Sequence, residues 1–332
     1  MLSIAKRKEL AVKEIKINDI ENIKIGHADH EEGITGCSVM LFEDGAVAGV
    51  DIRGGAPGSR ETALLKSDKL VEKIHAIMLA GGSAFGLDAA SGAVKYLEEN
   101  NIGFDVGVAK VPIVSSAILF DLEIGKSKIR PDSKMGYKAC LNASSKDFAN
   151  GNIGAGMGAT IGKFAGADNA MKGGLGTVAF QLGELKVGAM VAVNCLGDVI
   201  NPKNGEILAG ALSEDKREFL NTEKLMYNSY DKKNNVFGTN TSIGIVVTNA
   251  KMNKVEANKV AVKAHNGYAQ TMSPAHTEFD GDTIFAVSTD NIESDINVIN
   301  LLAVKAIKGA VLRAIKSADS IDGIISYKEL NN

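Results

Sequence analysis

The sequence contains no tryptophan, five prolines and three cysteines among 332 residues. Each scarcity excludes something. Cys37, Cys140 and Cys195 are odd in number, far apart and free of any C-x-x-C spacing. That argues against a disulfide framework or a zinc site and fits a reducing compartment. No uninterrupted apolar run reaches bilayer-spanning length. The opening stretch MLSIAKRKELAVKEIKIND is charged throughout and lacks the apolar centre of a secretory signal. With a formal net charge of −3 and neither a basic stripe nor a basic tail, the chain is not expected to bind nucleic acid or an anionic membrane. The expectation is a cytoplasmic protein. What is present, 45% hydrophobic and 23% charged residues, suits a globular protein with a sizeable core. The length fits one large domain or two ordinary ones.

Glycine is abundant, at 36 residues, and clustered. Clusters of this kind indicate backbone packed closely on backbone or ligand rather than flexible linkers. Residues 39–50, VMLFEDGAVAGV, read as two short strands around a Glu-Asp-Gly turn. The stretch from Ser67 reads as a short helix, then a buried strand around His75–Leu79, then a helix from about Leu87 to Glu99. GTVAFQL and ELKVGAMVAVN form a hairpin turning at Gly183-Glu184. Residues 221–237, polar and rich in Asn and Lys, read as a mobile surface loop. A strand follows at Ser242–Thr248. A helical period then runs through Ala257, Val260, Ala261, Ala264 and Tyr268. TIFAVST, 283–289, is another strand. Residues 295–316 form an amphipathic helix with Ile296, Ile299, Ala303, Ile307, Val311 and Ala314 on one face. Strands and helices mix without regular βαβ alternation, which favours a layered α+β sandwich over a doubly wound sheet.

Several motifs invite chemistry and fail on spacing. GNIGAGMGATIGK, 151–163, is not a phosphate loop: Phe164 follows Gly162-Lys163, and Met157 stands where the first glycine belongs. Close backbone packing is the favoured reading. GGSAFGLD, 81–88, resembles a nucleophile elbow, but Phe85 occupies the second glycine position. Ser83 then reads as a helix N-terminal or loop residue, with exposed N–H groups at the helix start able to bind an anionic or carbonyl group. His27, His30, His75, His265 and His276 show no metal spacing, and His27 and His30 read as part of a solvated acidic turn. No Ser-His-Asp set emerges, so a mechanism without histidine is considered.

GTNTSIGIVVTNA, 238–250, supplies one. Thr241 either caps a turn before the strand or is a nucleophile. A hydroxyl nucleophile needs a base, and an N-terminal threonine carries its own α-amine, with a pKa of about 8. Such a terminus inside a chain requires cleavage of the bond before it, and the polar loop would present that bond.

Taken together, GHADHEEGITGCSVMLFEDGAVAGVDIRGGAPGSRETALL, HAIMLAGGSAFGLDAASG, GNIGAGMGATIGK, KGGLGT, NTSIGIVVTNA and HTEFDGDTIFAVST resemble the L-aminopeptidase/D-esterase (DmpA) family over roughly residues 20–320. The resemblance implies a four-layer α/β/β/α sandwich of the N-terminal-nucleophile-hydrolase kind. It implies self-cleavage at Asn240–Thr241 into chains 1–240 and 241–332 and assembly as a tetramer of such pairs. It also implies hydrolysis of a small peptide, amide or ester with no metal or organic cofactor. Thr241 would be the nucleophile, and Asn194, after VAV, the oxyanion donor. Asp280 and Asp282 would flank the site, one of them orienting or charge-stabilising the amine. A family tyrosine is matched to Tyr137. Characterised β-peptide-cleaving members have Ser at the Asp280 position, and some have Glu at the position matched to Met135, so β-peptide specificity is not implied. Two alternatives remain: a self-processing acyltransferase of the ornithine acetyltransferase type, and a non-catalytic oligomeric scaffold.

Overall fold

The computed structural model describes residues 10–146, 148–231 and 240–331. Ten strands form one strongly folded hydrogen-bonded sheet: β1 Lys13–Ile15, β2 Lys24–His30, β3 Thr35–Ile52, β4 Ser59–Arg60, β5 Lys73–Ala80, β6 Val114–Ile118, β7 Gly174–Leu182, β8 Leu185–Val193, β9 Ile243–Ala250 and β10 Thr283–Ile292. The order is β1-β7-β8-β9-β10-β3-β5-β6-β4, with β2 also paired to β3.

The strand β3 makes this arrangement possible. The Glu-Asp-Gly segment is not a hairpin turn, as expected from the sequence, but a bend within one 18-residue strand. Gly45 adopts φ +71°, a region that L side chains disfavour, and the register with β5 shifts between Leu41 and Ala46. β3 pairs with β2 before the bend, with β5 on both sides of it as far as Val47, and with β10 over Val47–Ile52. One strand therefore serves both halves of the sheet, which turn their inner faces toward each other.

Side-chain alternation sorts three cores. Met40, Phe42, Ile77 and Leu79 meet Met190, Ile245, Val247 and Phe285 between the sheet halves. The opposite faces of the same strands are apolar too, because helices cover them. Val187, Ala189, Val191 and Val193 face α4 Lys254–Ala269 and α5 Ile296–Ser317 (numbered with α1 Ala89–Glu99, α2 Ser133–Leu141 and α3 Thr222–Tyr227). Ala76, Met78 and Ala80 face α1 and α2. The result is the expected α/β/β/α layering. Both long helices follow the expected period: α4 buries Ala257, Val260, Ala261, Ala264 and Tyr268, and α5 buries Ile299, Ala303, Ile307, Val311 and Ala314. Among the described residues, no helix is long and apolar enough to cross a membrane.

Two local expectations are corrected. No helix forms from Ser67 before β5. Leu70 finds nothing to pack against and stays exposed, while the Lys254 ammonium draws the carbonyls of Leu64, Lys69 and Val71 to itself at 2.9–3.1 Å. Gathering all three carbonyls on one ammonium holds residues 64–71 in an irregular path against α4. In 221–237, residues Thr222–Tyr227 form α3 rather than loop. Asn221 caps it, and Asp198 accepts from both the amide and the hydroxyl of Thr222 at 2.7 Å. Residues 232–239 lie outside the described residues.

The glycine-rich segment 151–162 is pinned by a buried cation. The Lys172 ammonium donates to the carbonyls of Gly156, Ala159 and Gly173 at 3.0, 2.9 and 3.2 Å. Burial lowers its pKa from 10.5 to about 7, against the pull of Asp121. Between those values the unfolded chain holds a proton that the folded chain has released, so this residue's contribution to stability rises with pH across that window. Denaturation of wild type and Lys172→Met at about pH 7 and about pH 9 should show the difference in favour of wild type growing with pH. A difference that is constant or shrinks contradicts the assignment.

Candidate active site

Sheet topology alone gathers the site. Strands β9 and β10 run parallel, so their entry segments lie at the same end; Ile243 is opposite Thr283, and Asn240 bridges Asp280 just before. Strand β8 is antiparallel to β9, so its exit, Asn194, arrives at that end as well. Thr241 is 3% exposed, and its amide donates to the Asn194 carbonyl at 2.9 Å. Its hydroxyl donates to the carbonyl oxygen of Asn240, the acyl group of the bond that precedes it.

The Asn194 side chain is fully buried and held at three points. Its Oδ1 accepts from the Thr160 amide at 2.9 Å and from the Lys163 ammonium at 2.8 Å, and its Nδ2 donates to the Phe120 carbonyl at 3.0 Å. Two donors on one side and an acceptor on the other settle which end is oxygen. A carboxamide has two N–H groups, so an oxyanion would take the one not given to Phe120.

Lys163, which sequence reading passed over, is brought directly against Asn194. Its only sequence signal was its place after Gly162, weighed there as part of a failed phosphate loop. Gly162 has φ +72°, and a Cβ there would lie 2.1 Å from the Ala211 nitrogen. The glycine thus lets the chain turn tightly and send Lys163 inward. Burial lowers the Lys163 pKa from 10.5 to about 8, while Cys195, Glu123, Asp280 and Asp121 pull the other way.

Asp280 and Asp282 are buried and act as acceptors. Asp280 takes the Leu196 amide at 3.2 Å on one oxygen, and the amide and hydroxyl of Thr277 at 3.1 and 2.5 Å on the other. Burial, then the charge of Asp282, raise its pKa to about 6. Asp282 takes the Ser242 amide at 2.8 Å, and its second oxygen takes the His276 amide and Nδ1 at 3.2 and 2.8 Å. In the continuous chain these bonds reach the residues on either side of the site rather than Thr241 itself.

The structure brings Asn240, Thr241, Asn194, Asp280 and Asp282 together, but not Tyr137. Tyr137 sits on α2 in an outer layer, donates its hydroxyl to Glu99 at 2.6 Å and packs edge-on against Tyr96. Its helix packs on α1, β2 and β3. The aromatic residue beside Asn194 is Phe120, which also lines a narrow cleft with Asp121, Glu123, Thr160, Ala167 and Ala170. The N–H group near Ser83 does meet an anion, but an internal one: Gly82 donates to Asp121 at 2.6 Å. His27 is not solvated; it is buried against Phe148 and bonded to Ser38.

The family model of peptidase family S58 matches residues 16–328. The chain belongs to this family. The family is one of peptidases, and the chain is a hydrolase of that kind. It is 34% identical to an uncharacterised aminopeptidase of Mycobacterium leprae, over 94% of this chain and 92% of that one. It is 34% identical to the 6-aminohexanoate-oligomer endohydrolase of an Agromyces species, over 83% of this chain and 75% of that one. The fold matches the L-aminopeptidase D-Ala-esterase/amidase of Ochrobactrum anthropi at a TM-score of 0.72 and 15% identity, covering 97% of this chain and 95% of that one. It matches a Burkholderia β-aminopeptidase at 0.68 and 16%, covering 95% and 92%.

Lys163→Met separates site from scaffold. Replacing the ammonium by an apolar side chain of similar length removes one donor from Asn194 Oδ1, which keeps the Thr160 amide, so the variant should still fold at some cost in stability. Losing the bond to Asn194 Oδ1 loosens the amide and should slow hydrolysis about tenfold or more. Turnover unchanged in the folded variant would remove Lys163 from the site.

Proposed function

We propose that Thr241 is the nucleophile and that it is released by cleavage of Asn240–Thr241, leaving chains 1–240 and 241–332 associated. The observation that carries this reading is the position of the Thr241 hydroxyl on the Asn240 carbonyl while the amide nitrogen of the same residue is held by Asn194. In the first step Oγ1 attacks the Asn240 carbonyl carbon, its proton passes to the departing Thr241 nitrogen as the C–N bond breaks, and an ester between Asn240 and the Thr241 hydroxyl results. Water then hydrolyses the ester, leaving a carboxylate on Asn240 and a free amine on Thr241.

In turnover that amine takes the hydroxyl proton as Oγ1 attacks the substrate carbonyl. The remaining N–H of Asn194 Nδ2 stabilises the tetrahedral oxyanion, with the Lys163 charge behind it. The leaving amine or alcohol carries the proton away, and water resolves the acyl-enzyme. Substrates are small amides or esters, released at an amino-terminal residue. The likeness to a 6-aminohexanoate-oligomer endohydrolase supports acceptance of amides whose amine is several carbons from the carbonyl. We place the enzyme in the cytoplasm as a tetramer of such chain pairs; three free, buried cysteines suit a reducing compartment.

Intact-mass measurement tests the processing. Thr241→Ala should stay full length and inactive, and Thr241→Ser should retain part of both activities. A fragment beginning at residue 241 in the Ala variant would assign the cut to an outside protease. Asn194→Ala should lower turnover about 10²–10³-fold, the usual loss for one oxyanion donor; wild-type turnover in a folded variant would exclude it from that role.

A further inference from the structure

Thr241 is restrained through both of its peptide units. On the amino side its own N–H is held by the Asn194 carbonyl; on the carboxyl side the Ser242 N–H is held by Asp282. The first restraint belongs to the peptide bond that the proposed cut destroys. The second survives the cut, and it is only as rigid as the Asp282 carboxylate.

That carboxylate is fixed by His276. The residue adopts φ +59°, and its backbone N–H and ring Nδ1 both reach Asp282 Oδ2, at 3.2 and 2.8 Å. Facing a carboxylate oxygen that already takes a backbone donor, Nδ1 is the protonated ring nitrogen. The ring stands edge-on to His265, with centroids 4.9 Å apart, and tilted against Tyr268 at 6.2 Å. Its other nitrogen, Nε2, is buried without a hydrogen-bond partner among the described residues. A ring present only to fill space here would be better served by phenylalanine, which buries no unmatched nitrogen. The imidazole is explained by its bond to Asp282.

We propose that His276 is a positioning residue: through Asp282 it fixes the Ser242 peptide plane, and thereby the place and aim of the Thr241 hydroxyl. The proposal rests on the reading of Thr241 as nucleophile. It acts on the attacking atom rather than on substrate binding, so it is expressed in self-cleavage and in kcat, not in KM.

Two comparisons separate the bond from the packing. His276→Phe keeps an aromatic ring on His265 and Tyr268 but removes the donor. His276→Asn restores a side-chain N–H near the position of Nδ1, and His276→Leu is its near-isostere without one. Self-cleavage of freshly translated precursor is followed by intact mass, and kcat and KM are measured with a chromogenic aminoacyl anilide. Phe and Leu should slow self-cleavage and lower kcat about tenfold or more, with KM changed less than about threefold. Asn should stay within about threefold of wild type in all three. Combined with Asp282→Asn, the Phe change should add little, because both remove one bond. The proposal is overturned if Phe or Leu behaves as wild type, if Asn is as impaired as Leu, if the loss falls on KM, or if the double variant is additive. Should Phe fail to fold, the Asn and Leu pair carries the comparison alone. Thr241→Ala, run in parallel, reports on the nucleophile reading separately: its cleavage before residue 241 would sink that reading whatever the His276 variants do.

Discussion

The parallel pairing of Ile243–Ala250 with Thr283–Ile292 is the constraint on which the site depends. Most neighbours in this sheet are antiparallel, and an antiparallel partner would have carried Asp280 and Asp282 to the far end of the strand. Parallel pairing places two strand entrances side by side, and the antiparallel β8 adds its exit. Three chain segments distant in sequence therefore meet without any long loop having to hold them. Pairing parallel strands requires a crossover, and α4 supplies it: its covered face includes Ala257, Val260, Ala261 and Ala264, small enough to let the helix lie close on the sheet.

Around that meeting point the protein buries ionisable groups of both signs. Lys163, Lys172, Asp121, Asp280 and Asp282 are all at or below 5% exposure. Isolated charges at such depth would be prohibitively costly. Here each is given donors or acceptors by backbone. Lys172 faces three carbonyls, Asp121 takes the Gly82 amide and the Thr35 hydroxyl, and the two aspartates of the turn take the amides of Leu196, Ser242, His276 and Thr277. Such a network contributes little net stability compared with an apolar core. Its effect is geometric: the backbone segments that carry Asn194 and Thr241 cannot shift without leaving a buried charge unmatched.

The long helices and the hairpin at Gly183 were legible because one local period fixes them. Thr241 could be singled out because a polar stretch runs straight into an apolar strand, and because its chemistry supplies its own base. Resemblance, not pattern, pointed to Asn194, Asp280 and Asp282; their meeting depends on strand direction, which no local window carries. The bend in β3 was invisible for the same reason, since Glu43-Asp44-Gly45 has the composition of a turn and becomes a bend only when both strand halves have partners. Lys163 and Lys254 were passed over because a lysine is ordinarily exposed. Only the fold reveals the carbonyl and carboxamide oxygens waiting for them. Tyr137 was matched on residue type, and the layer in which α2 lies puts it elsewhere.

Asn240 shows how the fold weights the bond before Thr241. The residue is 1% exposed, and neither Oδ1 nor Nδ2 of its side chain has a partner among the described residues. A buried amide left unmatched costs about 1–3 kcal/mol per lost polar group, and buried groups of this kind are uncommon in folded proteins. The backbone offers no release while the chain is continuous, because the Asp280 bridge holds one side and the Asn194 carbonyl holds the next residue. Under the proposed cut, Asn240 becomes a chain end that can carry its amide and its new carboxylate to water, whereas Ser242 remains tied to Asp282. The energetic disadvantage thus lies on the departing side of the bond and the rigidity on the retained side, which is the division that an internal threonine needs to become a terminal nucleophile without losing its place.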